Sequence, residues 1–527
     1  MVQHSTYRGA TVFRIAAVVV VVLIATGCAP SPRMFSPHRT QAPHRAKPRP
    51  AQTAAPAQDR ANEPAPVIPD VNESPAATPA PSQPAPVDET DFALAFADTT
   101  RHEESAVTVP VTVPEPAPTS PTPVPIPPAT SKPPAPARSR EMTVPDTRVR
   151  VAVKRNVERA SLYTVGEVGI SGASRSETEA YRGRIVAEAN ARTDRALLRM
   201  GPLKMQWVAL PCTLLSRDNG NFFELDDASY RGSFIVCSEQ PQKITIVNYL
   251  DVEDYLRGVV PLEIGKRPPE EVEAVKAQAV AARTYSYRRA VLRSDQPYDM
   301  VATIEDQVYG GVSAEVRECD DAIRATRGLV LVYGDSLINA YYCSTCGGRT
   351  ANIQDVWDKP PAPYLRSVRD AAPNGQPYCA ISSYCTWTEI WSTPALSSII
   401  VRYAASAGFD CPDRGSIRDL TVKSRYECGR VKSLVIRTST GSCEVGGDKV
   451  RFVLRREGAG SPILRSANFS VVSVDGRRVS IEGHGYGHGV GMCQMGAVGR
   501  AQSGHTFGEI LGAYYPGAEI ERVVTGR

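Results

Sequence analysis

Histidine is scarce in this chain of 527 residues: there are seven, and four of them lie before residue 103. The other three, His484, His488 and His505, fall within the last 44 positions. A metal centre built mainly from imidazoles is therefore excluded by count. Charge of one sign is also lacking, since 60 Lys and Arg face 56 Asp and Glu for a net +4. Without a basic patch interleaved with aromatics, nucleic acid is not an expected partner. The sequence shows neither an internal repeat of fixed period nor a Walker or Rossmann glycine pattern. Long apolar runs are missing too: Ile15–Ile24 falls short of the ~20 residues that a spanning helix needs.

What is present begins with an export signal over residues 1–28. Arg8 and Arg14 supply a positive start, and the short apolar run follows. It ends Ile24-Ala-Thr-Gly-Cys28, which resembles a lipoprotein processing site with Cys28 as the acylated first residue. Ala25 stands where such sites usually carry Leu, which leaves ordinary signal cleavage as the alternative. Ala29 after the cysteine resembles an outer-membrane sorting signal, so a periplasmic lipoprotein attached to that membrane through lipid is expected. Residues 29–148 hold 28 of the 44 prolines. Such a segment buries too little apolar surface to offset its ordering entropy and reads as a disordered tether. At about 3.1 Å per residue its extended reach is at most ~370 Å. Phe92-Ala-Leu-Ala-Phe-Ala97 interrupts it as a candidate docking helix.

The remaining ~380 residues exceed one ordinary domain. They read as α+β in two packed lobes, about 149–345 with a central helix and about 346–527, Cys-rich and β-rich. Arg148–Val153 and Phe234–Tyr249 have strand character, as do Leu434–Thr438, Val450–Leu454 and Phe469–Val474. The last turns through Asp475-Gly476 into Val479–Ile481, a hairpin signal.

At the centre of the first lobe stands Gly258-Val-Val-Pro-Leu-Glu263, followed by a helical run from Pro268 to Arg289. Proline at the start, Glu270 and Glu271 next, and Arg288-Arg289 at the end match the helix dipole. Val272, Val275, Ala279 and Ala282 recur at helical spacing, while Lys276, Gln278 and Arg283 occupy other positions. Glu263 thus sits at the mouth of a packed helix, where burial would raise its pKa and suit it to general acid work. Its structural alternative is a turn carboxylate that caps the helix or pairs with Arg283.

The stretch Asn248–Glu263 with Glu273–Tyr285, then Asp306-Gln-Val-Tyr-Gly-Gly311, Gly487-His-Gly-Val-Gly-Met-Cys-Gln494 and Tyr514-Tyr-Pro-Gly517, resembles in order the stage II sporulation protein D / LytB family. The resemblance spans roughly residues 148–520. It implies a lytic transglycosylase acting on the glycan strands of peptidoglycan, or a wall-binding protein that enhances an amidase partner. It implies Glu263 as the catalytic carboxyl and Glu253 as structural. Lys276, Gln278 and Arg283 would orient the loop or bind sugar and lactyl groups, Tyr309 would stack on a sugar, and His488 and Gln494 would lie in the cleft.

Eleven cysteines besides Cys28 remain. Cys212 and Cys237 are a candidate pair, and Cys411, Cys428 and Cys443 offer another bridge. Cys343-Ser-Thr-Cys346 with Cys379 and Cys385 has spacing suited to one structural zinc, or to two disulfides. In the family the position of Cys343 is typically His, and some relatives hold zinc near the cleft, which favours metal. A rival enzyme reading pairs Cys493 with His488 as an amide-cleaving nucleophile and base.

Overall fold

The computed structural model describes residues 141–144, 146–172, 180–218, 222–458 and 462–525. The expectations for the signal, Cys28 and the tether up to residue 140 lie outside the described residues. Within the span assigned to the tether, Glu141–Val144 forms a strand, paired in parallel with the C-terminal strand Glu519–Thr525. The fold is α+β, with three large hydrophobic cores and one small apolar cluster among the described residues.

The first core lies against a large, mainly antiparallel sheet. Its strands run in the order 300–301, 148–157, 244–251, 233–237, 212–216, 159–171, 181–189, 195–200 and 204–209. Strand Ile244–Asp251 feeds the helical centre of the molecule. Asp251 caps helix α1 (Val252–Arg257) by accepting from Glu253 N–H, an N-cap of the preferred type. Gly258 ends α1; a Cβ there would meet the Tyr309 ring and the Gly311 carbonyl. Pro261 then opens the short helix α2 (Val260–Ile264), which Gly265 closes at a φ of 79°. Only glycine adopts that conformation without strain.

Helix α3 (Val272–Leu292) differs from the amphipathic expectation: Ala277 to Tyr287 is buried without interruption. It is enclosed by helix α4 (Arg317–Ala325), strand Leu329–Tyr333 and the C-terminal helices, so its polar side chains are buried as well. This second core takes residues from Leu256 to Tyr515, and a lobe boundary at 345 would cut through it.

The third core belongs to residues 387–481. Two three-stranded sheets and helices α5 (Thr393–Tyr403) and α6 (Val450–Val453) enclose it. Val450–Leu454, expected as a strand, is mostly that short helix; a brief apolar run fits either structure. Strands 469–474 and 478–484 form the expected hairpin. Cys411 and Cys443 are disulfide-bonded across this module, and Cys428 is free. Cys212 and Cys237 are also free. Cys212 is opposite Val236, and successive strand residues face opposite sides of a sheet. Cys237 accordingly joins a separate apolar cluster, and the two thiols do not meet. Helices α7 (Gln494–Gln502) and α8 (Phe507–Tyr514) return the chain to α3.

Candidate active site

Glu263 is half-buried on the last turn of α2. Val308 N–H donates to Oε1 at 3.2 Å, and Gln494 Nε2 approaches Oε2 at 3.4 Å. The Tyr342 hydroxyl donates a third bond. Burial pushes the carboxyl up, these three donors pull it down, and the balance leaves it at about 7. At neutral pH a protonated fraction thus persists, which suits the group to proton donation.

Residues around it are held from several elements. Gln307 Nε2 donates to the Tyr342 hydroxyl at 3.1 Å, and Ser286 Oγ donates to Gln307 Oε1 at 3.0 Å. The short strand Tyr342–Cys343 pairs in parallel with Met492–Cys493. That pairing brings Tyr342 and Gln494 to the same carboxyl. Gln494 Nε2 also reaches Gln278 Oε1 at 3.4 Å, while Gln278 Nε2 is sealed without a partner among the described residues.

His488 stands behind Tyr342. Its Nδ1 accepts from Val490 N–H at 3.0 Å, and the ring bonds the Tyr342 backbone. Burial and the nearby Arg451 and Arg430 hold it down at about 3, so the imidazole is neutral at ordinary pH. With its ring engaged this way, no His488–Cys493 dyad exists. The Cys493 thiol instead accepts from Cys346 N–H at 3.1 Å and Gly496 N–H at 3.2 Å.

Three of the expected substrate residues lie elsewhere. Arg283 is fully buried and forms a two-pronged pair with Glu253, at 2.9 and 2.7 Å. It also donates to the Leu329 and Ile323 carbonyls, so it fastens α1, α3 and strand 329–333 together. Glu253 is structural, as the resemblance implied, and the Arg283–Glu263 pairing is not formed. Tyr309 is 6% exposed, with its hydroxyl on Asn248 Oδ1 at 2.9 Å, which leaves no face for a sugar. Lys276 pairs with Glu273 at 2.6 Å. Two helix positions from Gln278 it is rotated by ~200°, away from the carboxyl.

The thiol cluster also differs from the sequence spacing. Cys346, Cys379, Cys493 and Asp370 present ligand atoms within 4.8 Å of one another. Cys343 is outside this group, its sulfur accepting from Gly489 N–H. Cys346 Sγ lies 3.8 Å and Cys385 Sγ 3.9 Å from Cys379 Sγ. Four sulfurs at ~2.3 Å from a zinc ion would be about 3.8 Å apart. The Cys346 and Cys493 thiols with the Gly347 and Gly348 amides lower the Cys379 pKa, favouring the thiolate a metal needs. These residues fit zinc, with Asp370 or Cys385 as fourth ligand. Asp370 is also held by Arg500 at 3.1 Å.

Tyr342, Asp370 and the place of Cys493 in the thiol cluster had no readable signal as site features. Gln307 and Val308 did have one, because they lie inside the Asp306–Gly311 segment.

Residues 240–333 match the family model described as Stage II sporulation protein. A domain of unknown function matches residues 380–491, the module with the third core. An uncharacterized protein of Brachyspira hyodysenteriae is 30% identical over 355 residues, 67% of this chain and 89% of that protein. The Amidase enhancer of Bacillus subtilis is 31% identical over 293 residues, 50% of this chain, which covers 40% of that protein's length. Stage II sporulation protein D of Bacillus amyloliquefaciens is 28% identical over 290 residues, 52% of this chain and 75% of that protein. With the Glu263 segment and its helix inside the matched region, this chain belongs to the stage II sporulation protein D family.

Proposed function

We propose that this protein is a peptidoglycan lytic transglycosylase with Glu263 as its single acid and base. The observation that carries this reading is a half-buried carboxyl raised to about 7 without a second free carboxylate beside it among the described residues. The other acids of the region are committed: Glu253 to Arg283, Asp306 to Arg289 and Arg293, and Asp370 to Arg500. Hydrolysis of a glycosidic bond ordinarily takes two carboxylates. An internal nucleophile removes that need.

Protonated Glu263 donates to the oxygen leaving MurNAc C1, and the C1–O bond breaks. The MurNAc C6 hydroxyl then attacks C1 and returns its proton to the Glu263 carboxylate, giving a 1,6-anhydro end without consuming water. Val308 N–H, Gln494 and Tyr342 hold the carboxyl in place through both steps. One zinc on Cys346, Cys379, Cys493 and either Asp370 or Cys385 would serve a structural role, fixing the start of α7 from which Gln494 projects. Anchoring through Cys28 to the outer membrane, with residues 29–140 as a tether, would bring this domain to the wall.

Glu263→Gln keeps the side chain's shape and removes both proton transfers. General acid–base catalysis contributes ~10²–10⁴-fold, so release of anhydro-muropeptides from sacculi or peptide-stripped glycan should fall to background while binding persists. Wild-type protein that binds both substrates, yields no anhydro product and accelerates an added amidase would replace this reading with the enhancer one. One relative bears that name.

A further inference from the structure

Two aromatic side chains beside the Glu263 network are not accounted for by the chemistry above. The Trp357 ring lies 4.9 Å from Tyr341 and 4.8 Å from His488, and Tyr341 lies 6.0 Å from Tyr285. Both Trp357 and Tyr341 are half-buried. Among the described residues, neither the Trp357 indole N–H nor the Tyr341 hydroxyl has a hydrogen-bond partner, and neither is sealed from solvent. Buried indoles and phenols normally find such partners. The two tryptophans of the third core do: Trp387 donates to the Gly485 carbonyl and Trp391 to the Arg455 carbonyl, each at 2.8 Å. Trp357 packs against the second core, but that packing does not account for its unpartnered N–H.

Its backbone is fixed on both sides, donating to Ile353 and accepting from Lys359 at 3.0 and 2.8 Å. The exposed Pro360-Pro361 that follows stiffens the loop. Tyr341 adjoins Tyr342, whose backbone is bonded by His488 and whose hydroxyl holds Glu263. The aromatic pair is thus linked to the acid through His488 and Tyr342. An indole face beside a ring inclined at 54°, with two unused polar tips, suits a pyranose, which offers an apolar ring face and a rim of hydroxyl and acetamide groups.

We propose that Trp357 and Tyr341 form a sugar-binding platform adjoining Glu263, on which one ring of the glycan strand stacks. This deepens the glycan-cleaving reading and rests on it for the identity of the ligand. Trp357 supplies the stacking face and a donor to a sugar oxygen. Tyr341 supplies the neighbouring wall.

The test uses the full chain carrying Glu263→Gln, to prevent turnover, and glycan strands stripped of peptide as the probe. Calorimetry should show affinity falling about tenfold on adding Trp357→Ala and staying within about threefold with Trp357→Phe, which keeps a stacking face. Glycan should also alter the tryptophan emission of the Glu263→Gln protein and not that of the Trp357→Phe double variant. That readout decides the matter if the alanine variant does not fold. Unchanged affinity in Trp357→Ala, or emission changes that survive Trp357→Phe, overturn the platform and leave the cleavage reading intact. Loss of affinity in Trp357→Ala, where wild-type protein forms no anhydro product, keeps the platform and removes the enzyme. Binding of free stem peptide, and not of glycan, overturns both.

Discussion

Gln494 Nε2 lies 3.4 Å from Glu263 Oε2 although 231 positions separate the two residues. The contact exists because the strand that ends at Cys493 pairs with Tyr342–Cys343, and α7 begins at the next residue. One strand pairing therefore delivers both an amide and a phenol to the same carboxyl.

The raised pKa of Glu263 sets a pH dependence. The first step needs the protonated form, so the rate of anhydro-product formation should decline as pH rises through about 7. The same shift has a stability signature. A carboxyl raised above its unfolded value of about 4.5 contributes stability fully present below 4.5 and lost as pH rises through about 7. Glu263→Gln does not titrate, so relative to wild type it should gain on the order of 3 kcal/mol between pH 4 and pH 8. Denaturant melts at both pH values would refute this if the two proteins keep a constant difference.

Metal removal gives a second expectation. Purified protein should carry about one equivalent of zinc, and chelation should lower its Tm, because binding in such sites is linked to folding. Cys379→Ser and Cys493→Ser should lose the metal, while Cys343→Ser should keep it. Mass mapping that finds Cys346, Cys379 or Cys493 in disulfides in periplasm-derived protein would end the zinc assignment.

Arg283→Met should destabilise the protein by about 3–5 kcal/mol, since it strips the partner from Glu253 and leaves that charge half-buried. Adding Glu253→Gln should recover part of the loss. A direct substrate role for Arg283 would instead show as weakened glycan binding at full stability, which titration calorimetry on the folded variant would detect.

Sequence alone determined the local frame of this protein. Asp251 as a cap, Pro261 inside α2, Gly265 at positive φ and the acid-to-basic order around α3 are all short-range features. They place Glu263 on the short helix α2, between α1 and α3, whatever packs on them. The tertiary structure decided everything that depends on which distant groups converge. Cys493 lies more than a hundred residues beyond Cys379, so no spacing rule could prefer it to Cys343 as a partner of Cys346 and Cys379. Arg283 was readable as a polar position on a helix, but whether it reached Glu263, Glu253 or substrate depended on where α1 folded back. Helical periodicity likewise missed the burial of α3 on nearly all sides. Periodicity reports the residues of one helix, whereas enclosure is set by the helices and strands that later pack around it.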